Sequence, residues 1–157
     1  MSQPYAEILE GATCFRSAPG ARHEIICQRL HERVGASMAG FAAARLLPPR
    51  SPIQLPSGEQ VRPDLALVTV ATNKLWLAAE IVSSDDHHPD TVVKKAIYEE
   101  IKLPRLWMVD PRYDNVEIYH GGQYGLALKG ILAVREVLSE PLLPDFQLPI
   151  AELFKPG

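Results

Sequence analysis

Cysteine is what this chain of 157 residues has least of, apart from its two tryptophans: there are two. Cys14 and Cys27 show no CxxC or other metal-ligand spacing, and two thiols suit a reducing cytoplasm. Long apolar runs are missing too, none approaching the ~20 residues of a membrane span. Residues Met1 to Glu10 have neither a basic start nor an apolar centre, so no signal peptide is expected. Nor is positive charge in excess: the net charge is −3, against a nonspecific nucleic-acid coat but compatible with a local basic groove. Repeats and low-complexity segments are absent, and the length fits one domain over residues 1–157.

What is present is ordinary for a globular core, 46% hydrophobic and 22% charged. Its organising stretch is Pro63 to Tyr98. Two apolar runs, Leu65 to Val70 and Leu75 to Ala79, flank the break Ala71-Thr72-Asn73 and read as a hairpin. A turn centred on Thr72 would set Asp64 opposite Glu80. Both strands read as buried, being apolar on both faces. Two carboxylates facing each other there repel by roughly 0.2–1 kcal/mol or more, so a cation between them is expected. Mg²⁺ is the natural one, since one or two carboxylates commonly hold it.

Around this stretch the other elements fall into place. Ser17 to Gly20 reads as a helix entry with Ser17 as cap. The helix behind it lines up His23, Ile26, Cys27, Leu30 and Val34, with Glu24 a quarter-turn away. Gly35 to Leu47 reads as a second helical segment ended by Pro48 and Pro49. Ile53 to Leu55 is a short strand. Ser83 to Pro89 reads as a solvated loop, because its adjacent Asp and His residues cannot all face one ion. From Asp90 the pattern is helical, with Asp90, Lys94 and Tyr98 on one face. Asp90 and Lys94 there have the order of a helix-surface ion pair. Leu106 to Val109 and Val116 to Tyr119 are strands, Gly121-Gly122 a turn, and Tyr124 to Val137 one or two further strands. The stretch from Glu140 to Phe154, broken by Pro141, Pro144 and Pro149, should lie over the core. Trp76 and Trp107 read as core residues, with a homodimer surface as the alternative. The whole is an α/β fold with a mixed central sheet flanked by helices.

Pro63-Asp64, Glu80-Ile81-Val82-Ser83, Asp90-xxx-Lys94-xxx-Tyr98 and Trp107-Met108-Val109-Asp110-Pro111 resemble the signature of the Uma-type endonuclease family. That bacterial family belongs to the PD-(D/E)XK, or restriction-endonuclease-like, superfamily. The resemblance covers about residues 20–154. It implies a restriction-endonuclease-like core, a Mg²⁺ (or Mn²⁺) ion, and hydrolysis of nucleic acid; separately, DNA is expected ahead of RNA, the protein in the cytoplasm and its state a homodimer. It also implies roles: Asp64 and Glu80 as metal-binding acids, Lys94 as the superfamily lysine moved to the following helix, and His23 and Glu24 as auxiliary groups. Two residues depart from the pattern, Ser84 where proline is usual and Lys102 where glycine usually ends the helix.

The residue types support the same chemistry. A metal held by Asp64, Glu80 and the Ile81 carbonyl would activate water and stabilise a pentacovalent phosphate. Lys94 would orient that water or offset phosphate charge, positioned by Asp90 and Tyr98. Two other readings stand beside it: a catalytically silent interaction or dimerisation module, and a hydrolase of small phosphate esters.

Overall fold

The structure is a computed structural model that describes residues 2–83 and 86–157. The chain opens on a hairpin set by Glu10 and Gly11, whose positive φ angles of 52° and 78° suit a two-residue turn between twisted strands. Strand β1 (Tyr5–Leu9) thereby folds onto β2 (Ala12–Arg16), with Leu9 opposite Ala12. Alternation along β1 turns Glu7 and Leu9 inward. Helix α1 (Ala21–Ser37) buries Ile26, Cys27, Leu30 and Val34, the expected stripe. Its N-cap is Gly20 rather than Ser17, with no side-chain cap. The small residues after it do not form a second helix. α1 ends at Ser37, Gly40 takes φ 78°, and the chain continues as β3 (Ala44–Leu46), since glycines are poor helix formers.

Strands β4 (Ile53–Gln54) and β5 (Gln60–Val61) join the first hairpin in a sheet of order β2-β1-β5-β4. Next come β6 (Leu65–Thr69) and β7 (Leu75–Ile81), the expected hairpin. Leu65 faces Ala79, Ala66 faces Ala78 and Leu67 faces Leu77, the register that brings Asp64 alongside Glu80. A bulge after Leu67 shifts the pairing toward the turn, where Asn73 takes φ 57°, so the turn is not centred on Thr72.

A π-helical segment (Pro89–Lys94) runs into α2 (Lys95–Glu100), and this crossover sets β8 (Arg105–Asp110) parallel to β7. Lys102, at φ 58°, follows α2 in the left-handed conformation glycine prefers. Strands β9 (Asn115–Gly122) and β10 (Gly125–Leu132) complete a mixed sheet of order β10-β9-β8-β7-β6-β3. Gly121 is a strand residue, not a turn. A Cβ there would lie 2.1 Å from the Leu103 carbonyl oxygen, so close backbone approach, not turning, requires the glycine.

The chain ends as a ribbon, β11 (Val137–Glu140) with β12 (Leu143–Pro149), and a short helix α3 (Ile150–Phe154). As expected, this end lies on the core through Leu138, Leu143, Phe146, Leu148, Ile150, Leu153 and Phe154, although Leu142 is exposed.

Both faces of the central sheet are covered. One packs Leu77, Ala79, Ile81, Trp107 and Val109 against α1, β12 and α3. The other packs Ala78, Val82, Leu106 and Met108 against Tyr98 of α2 and Leu9 of β1. Because side chains alternate along a strand, Glu80 must point to this second face, with Ala78 and Val82. That places a carboxylate inside an apolar layer, under the helix that carries Lys94.

Candidate active site

Asp64 lies just before β6, at the end of the β6–β7 ladder. Continuing the register would offer the Ile81 N–H the Pro63 carbonyl. That carbonyl instead accepts from Arg50 N at 3.0 Å, and Asp64 Oδ2 takes the Ile81 N–H at 2.8 Å. A buried amide must find an acceptor, so this bond fixes Asp64 one residue from Glu80. Its other oxygen, Oδ1, accepts from His23 Nε2 at 2.9 Å and Arg50 Nη1 at 3.0 Å. His31 Nε2 donates to the Asp64 carbonyl at 2.7 Å. Burial alone would raise the Asp64 pKa. The His23 bond, the Ile81 amide and the charge of Lys94 together hold it below its ordinary value, so Asp64 is ionised.

Glu80 is surrounded differently. Lys94 Nζ stands 2.7 Å from Oε2, and the Tyr98 hydroxyl donates to the same oxygen at 2.5 Å. Oε1 receives no protein donor among the described residues. Burial, reinforced by Asp90, Glu7 and Asp64 against the opposing pull of Lys94, pushes the Glu80 carboxyl up to about 8. Lys94 is fully buried; desolvation opposes its charge, but Glu80, Glu7 and Asp90 overcome this and raise its pKa. Burial and the neighbouring Glu80 keep Tyr98 protonated far above the ordinary tyrosine value.

The cluster extends to residues that sequence reasoning missed. Glu7 of β1, also fully buried, lies 2.7 Å from Lys94 Nζ, 2.7 Å from Arg16 Nη1, and accepts from Arg62 N at 2.7 Å. Arg16 of β2 then reaches both oxygens of Asp90 at 3.0 Å. Asp90 is therefore not the surface partner of Lys94. It is buried, bound to Arg16 and to the Ser83 amide at 3.1 Å. Nor does Tyr98 hold Lys94; both act on Glu80. Glu24, half-buried, pairs with Arg50 at 2.8 Å rather than joining the two acids. The signal for Glu7 was an acid at an inward position of an alternating strand, between Tyr5 and Leu9. Arg50 sits at φ 57° in a tight turn, for which the sequence offers no cue.

Of the expected loop at residues 83–89, Asp86, His87 and His88 are exposed, while Ser84 lies outside the described residues. Trp107 is buried and stacks on Phe146 at 5.4 Å, and Trp76 is buried as well, so neither offers a dimer surface. No helix is long and apolar enough to cross a membrane among the described residues.

The donor set suits a hard divalent cation. Among the described residues no three His, Cys, Asp or Glu side chains form a complete metal cage. Two carboxylates with open positions are nevertheless what Mg²⁺ commonly takes. Glu80 Oε1 is free of donors, and Asp64, with three donors to its roughly four acceptor sites, retains capacity. Once Glu80 has lost its proton, Glu7, Glu24, Asp64, Glu80 and Asp90 outnumber Arg16, Arg50 and Lys94 by two, an excess one divalent ion would balance. A cleft of about 400 Å³ opens beside it, lined by Tyr5, Arg16, Arg22, His23, Ser83 and Arg112 among others.

Residues 2–151 match the Uma2 family, described as "Putative restriction endonuclease". This chain belongs to the Uma2 family. No curated protein matches it. Among solved structures it resembles a protein from Anabaena variabilis titled "a putative nuclease belonging to DUF820". The TM-score is 0.81 at 15% identity, covering 98% of this chain and 91% of the other. At that identity the match speaks for the fold, which is restriction-endonuclease-like. Within this Uma2 chain the sheet and crossover helix seen above are the parts that bring Asp64, Glu80 and Lys94 together.

Proposed function

We propose that this Uma2 chain is a metal-dependent nuclease that hydrolyses phosphodiester bonds of nucleic acid, DNA ahead of RNA, through Asp64, Glu80 and Lys94. The observation that carries this reading is the convergence of the three. Ile81 ties Asp64 to the strand end beside Glu80, and Lys94 Nζ stands 2.7 Å from Glu80. The family description and the nuclease title of the structural neighbour support it.

Asp64 and Glu80, with the adjacent Ile81 carbonyl, would hold Mg²⁺ or Mn²⁺, which when bound acidifies a coordinated water and offsets phosphate charge. Lys94, with its raised pKa, keeps its proton at all working pH and acts as a fixed positive charge rather than a base. Tyr98, kept protonated, fixes Glu80 Oε2 and leaves Oε1 for the metal. His23 orients Asp64 from the wall of the cleft, and Arg22 and Arg112 give that cleft cations suited to a phosphate backbone. The reading includes a cytoplasmic protein. It also includes a homodimer, whose contact we place at β10, an edge strand with exposed Leu128 and Ile131.

The test is nicking of supercoiled plasmid with Mg²⁺. Asp64→Asn, Glu80→Gln and Lys94→Met should each lower the rate by at least about a hundredfold while melting cooperatively. Wild-type nicking by folded Lys94→Met would remove the lysine from the mechanism, and no Mg²⁺-dependent nicking by the wild type would remove the nuclease.

One observation favours a second reading, a catalytically silent module. The side chains of Asp64, Glu80 and Lys94 are only 4%, 1% and 0% exposed, and each acid already has a cation beside it, Arg50 at Asp64 and Lys94 at Glu80. A silent cluster predicts no heat on calorimetric titration with Mn²⁺.

A further inference from the structure

The N-terminal hairpin contributes a buried acid that lies outside the residues named above for the proposed site. Glu7 is fully buried, and it shares the Lys94 ammonium group with Glu80, each carboxylate 2.7 Å from Nζ. Its other oxygen is held by Arg16 at 2.7 Å, and the Arg62 amide closes the remaining approach at 2.7 Å. Glu7 thus cannot swing away from Lys94. Among the described residues no hydrogen bond joins it to Asp64 or Glu80, so its link to the two acids runs through Lys94.

We infer that Glu7 is a positioning residue of the proposed metal site, one that divides the charge of Lys94 and so leaves Glu80 free to bind a divalent cation. The physical reason is competition. An ammonium ion paired with Glu80 alone would neutralise it and disfavour a second cation on the same carboxylate. Shared with Glu7, the same ammonium group is half committed elsewhere, and the local charge stays negative. Glu7 also fixes Nζ between two anchors, so Lys94 keeps its position when Glu80 turns its other oxygen to the metal. The inference rests on the metal-dependent reading above.

The two charges can be removed separately or together, and a role exercised through Lys94 requires Glu7 to matter only while the ammonium group is present. Mn²⁺ binding to the full chain, by calorimetry, is the readout for wild type, Glu7→Gln, Lys94→Met and the double variant, with thermal melts confirming the fold. Glu7→Gln should weaken Mn²⁺ binding by about tenfold or more, since the Lys94 ammonium group is then committed to Glu80 alone. Lys94→Met should tighten it by a similar factor. The double variant should bind within about threefold of Lys94→Met alone, because without the ammonium group Glu7 has no charge to divide, a coupling that independent sites do not show.

The inference is overturned if Glu7→Gln binds Mn²⁺ as wild type does, or if Glu7→Gln weakens binding by the same factor in the Lys94→Met background as in wild type. Should Glu7→Gln fail to fold, a double variant that binds Mn²⁺ at least about tenfold more weakly than Lys94→Met overturns it instead. A wild type that binds no Mn²⁺ sinks the metal-dependent reading and this inference with it. Wild-type binding without the expected pattern sinks this inference alone.

Discussion

Burial pushes the Glu80 carboxyl up to about 8, against an ordinary value of 4.5. A group whose folded pKa lies above its unfolded one adds stability below the unfolded value and loses it as pH rises through the folded value. The metal-free protein should therefore lose stability between about pH 4.5 and 8 through Glu80. Thermal melts of Glu80→Gln should lack that decline, and an unchanged slope would show that Glu80 titrates normally. Asp64 has the opposite sign: its lowered pKa adds stability that is lost on acidification through the depressed folded value. Lys94 matters for stability as well as charge. Truncation to alanine leaves Glu7 and Glu80 buried without their cation, a loss of about 3–5 kcal/mol. Urea melts of Lys94→Ala against wild type measure it, and a loss under about 1 kcal/mol would mean that water reaches the pair.

At the scale of elements, the crossover from β7 through the π-helical segment and α2 to β8 decides the site's geometry. Its weak point is Lys102, where a left-handed conformation costs a non-glycine residue about 1 kcal/mol. Lys102→Gly should raise stability by about that amount in urea melts, because it relieves strain without touching the cluster. Gly121→Ala should do the reverse. With the Leu103 carbonyl 2.1 Å from the new Cβ, backbone must shift, at a cost of about 1–3 kcal/mol. A neutral result would mean that β9 and the exit of α2 move apart easily. These two positions also show how far elements were legible. A glycine pair reads as a turn from sequence, whereas its need here arises from a neighbour eighteen residues earlier in the chain, Leu103. The Gly35 to Leu47 stretch misled for a similar reason: β3 is a strand because β6 offers an open edge, a property of another segment.

For the whole molecule, what was legible followed short-range rules. Alternation and the hairpin register put Asp64 beside Glu80, and helical spacing put Lys94 and Tyr98 over them. The remainder of the cluster depends on contacts between distant segments. Glu7 and Arg16 reach the site because an N-terminal sheet docks on the α2 face, and Arg50 because its turn borrows the Pro63 carbonyl. Neither follows from periodicity. The same docking explains why Asp90 left Lys94 for Arg16. Taken together, the fold surrounds two acids with cations that fall short of neutralising them.

The most direct measurement is a crystal structure of the full chain grown with Mn²⁺ and phased on its anomalous signal. The account predicts a Mn²⁺ peak within about 2.0–2.3 Å of one oxygen each of Asp64 and Glu80, with Lys94 still against Glu7. Anomalous peaks elsewhere only, with the Lys94–Glu80 and Asp64–Arg50 pairs intact, would contradict it.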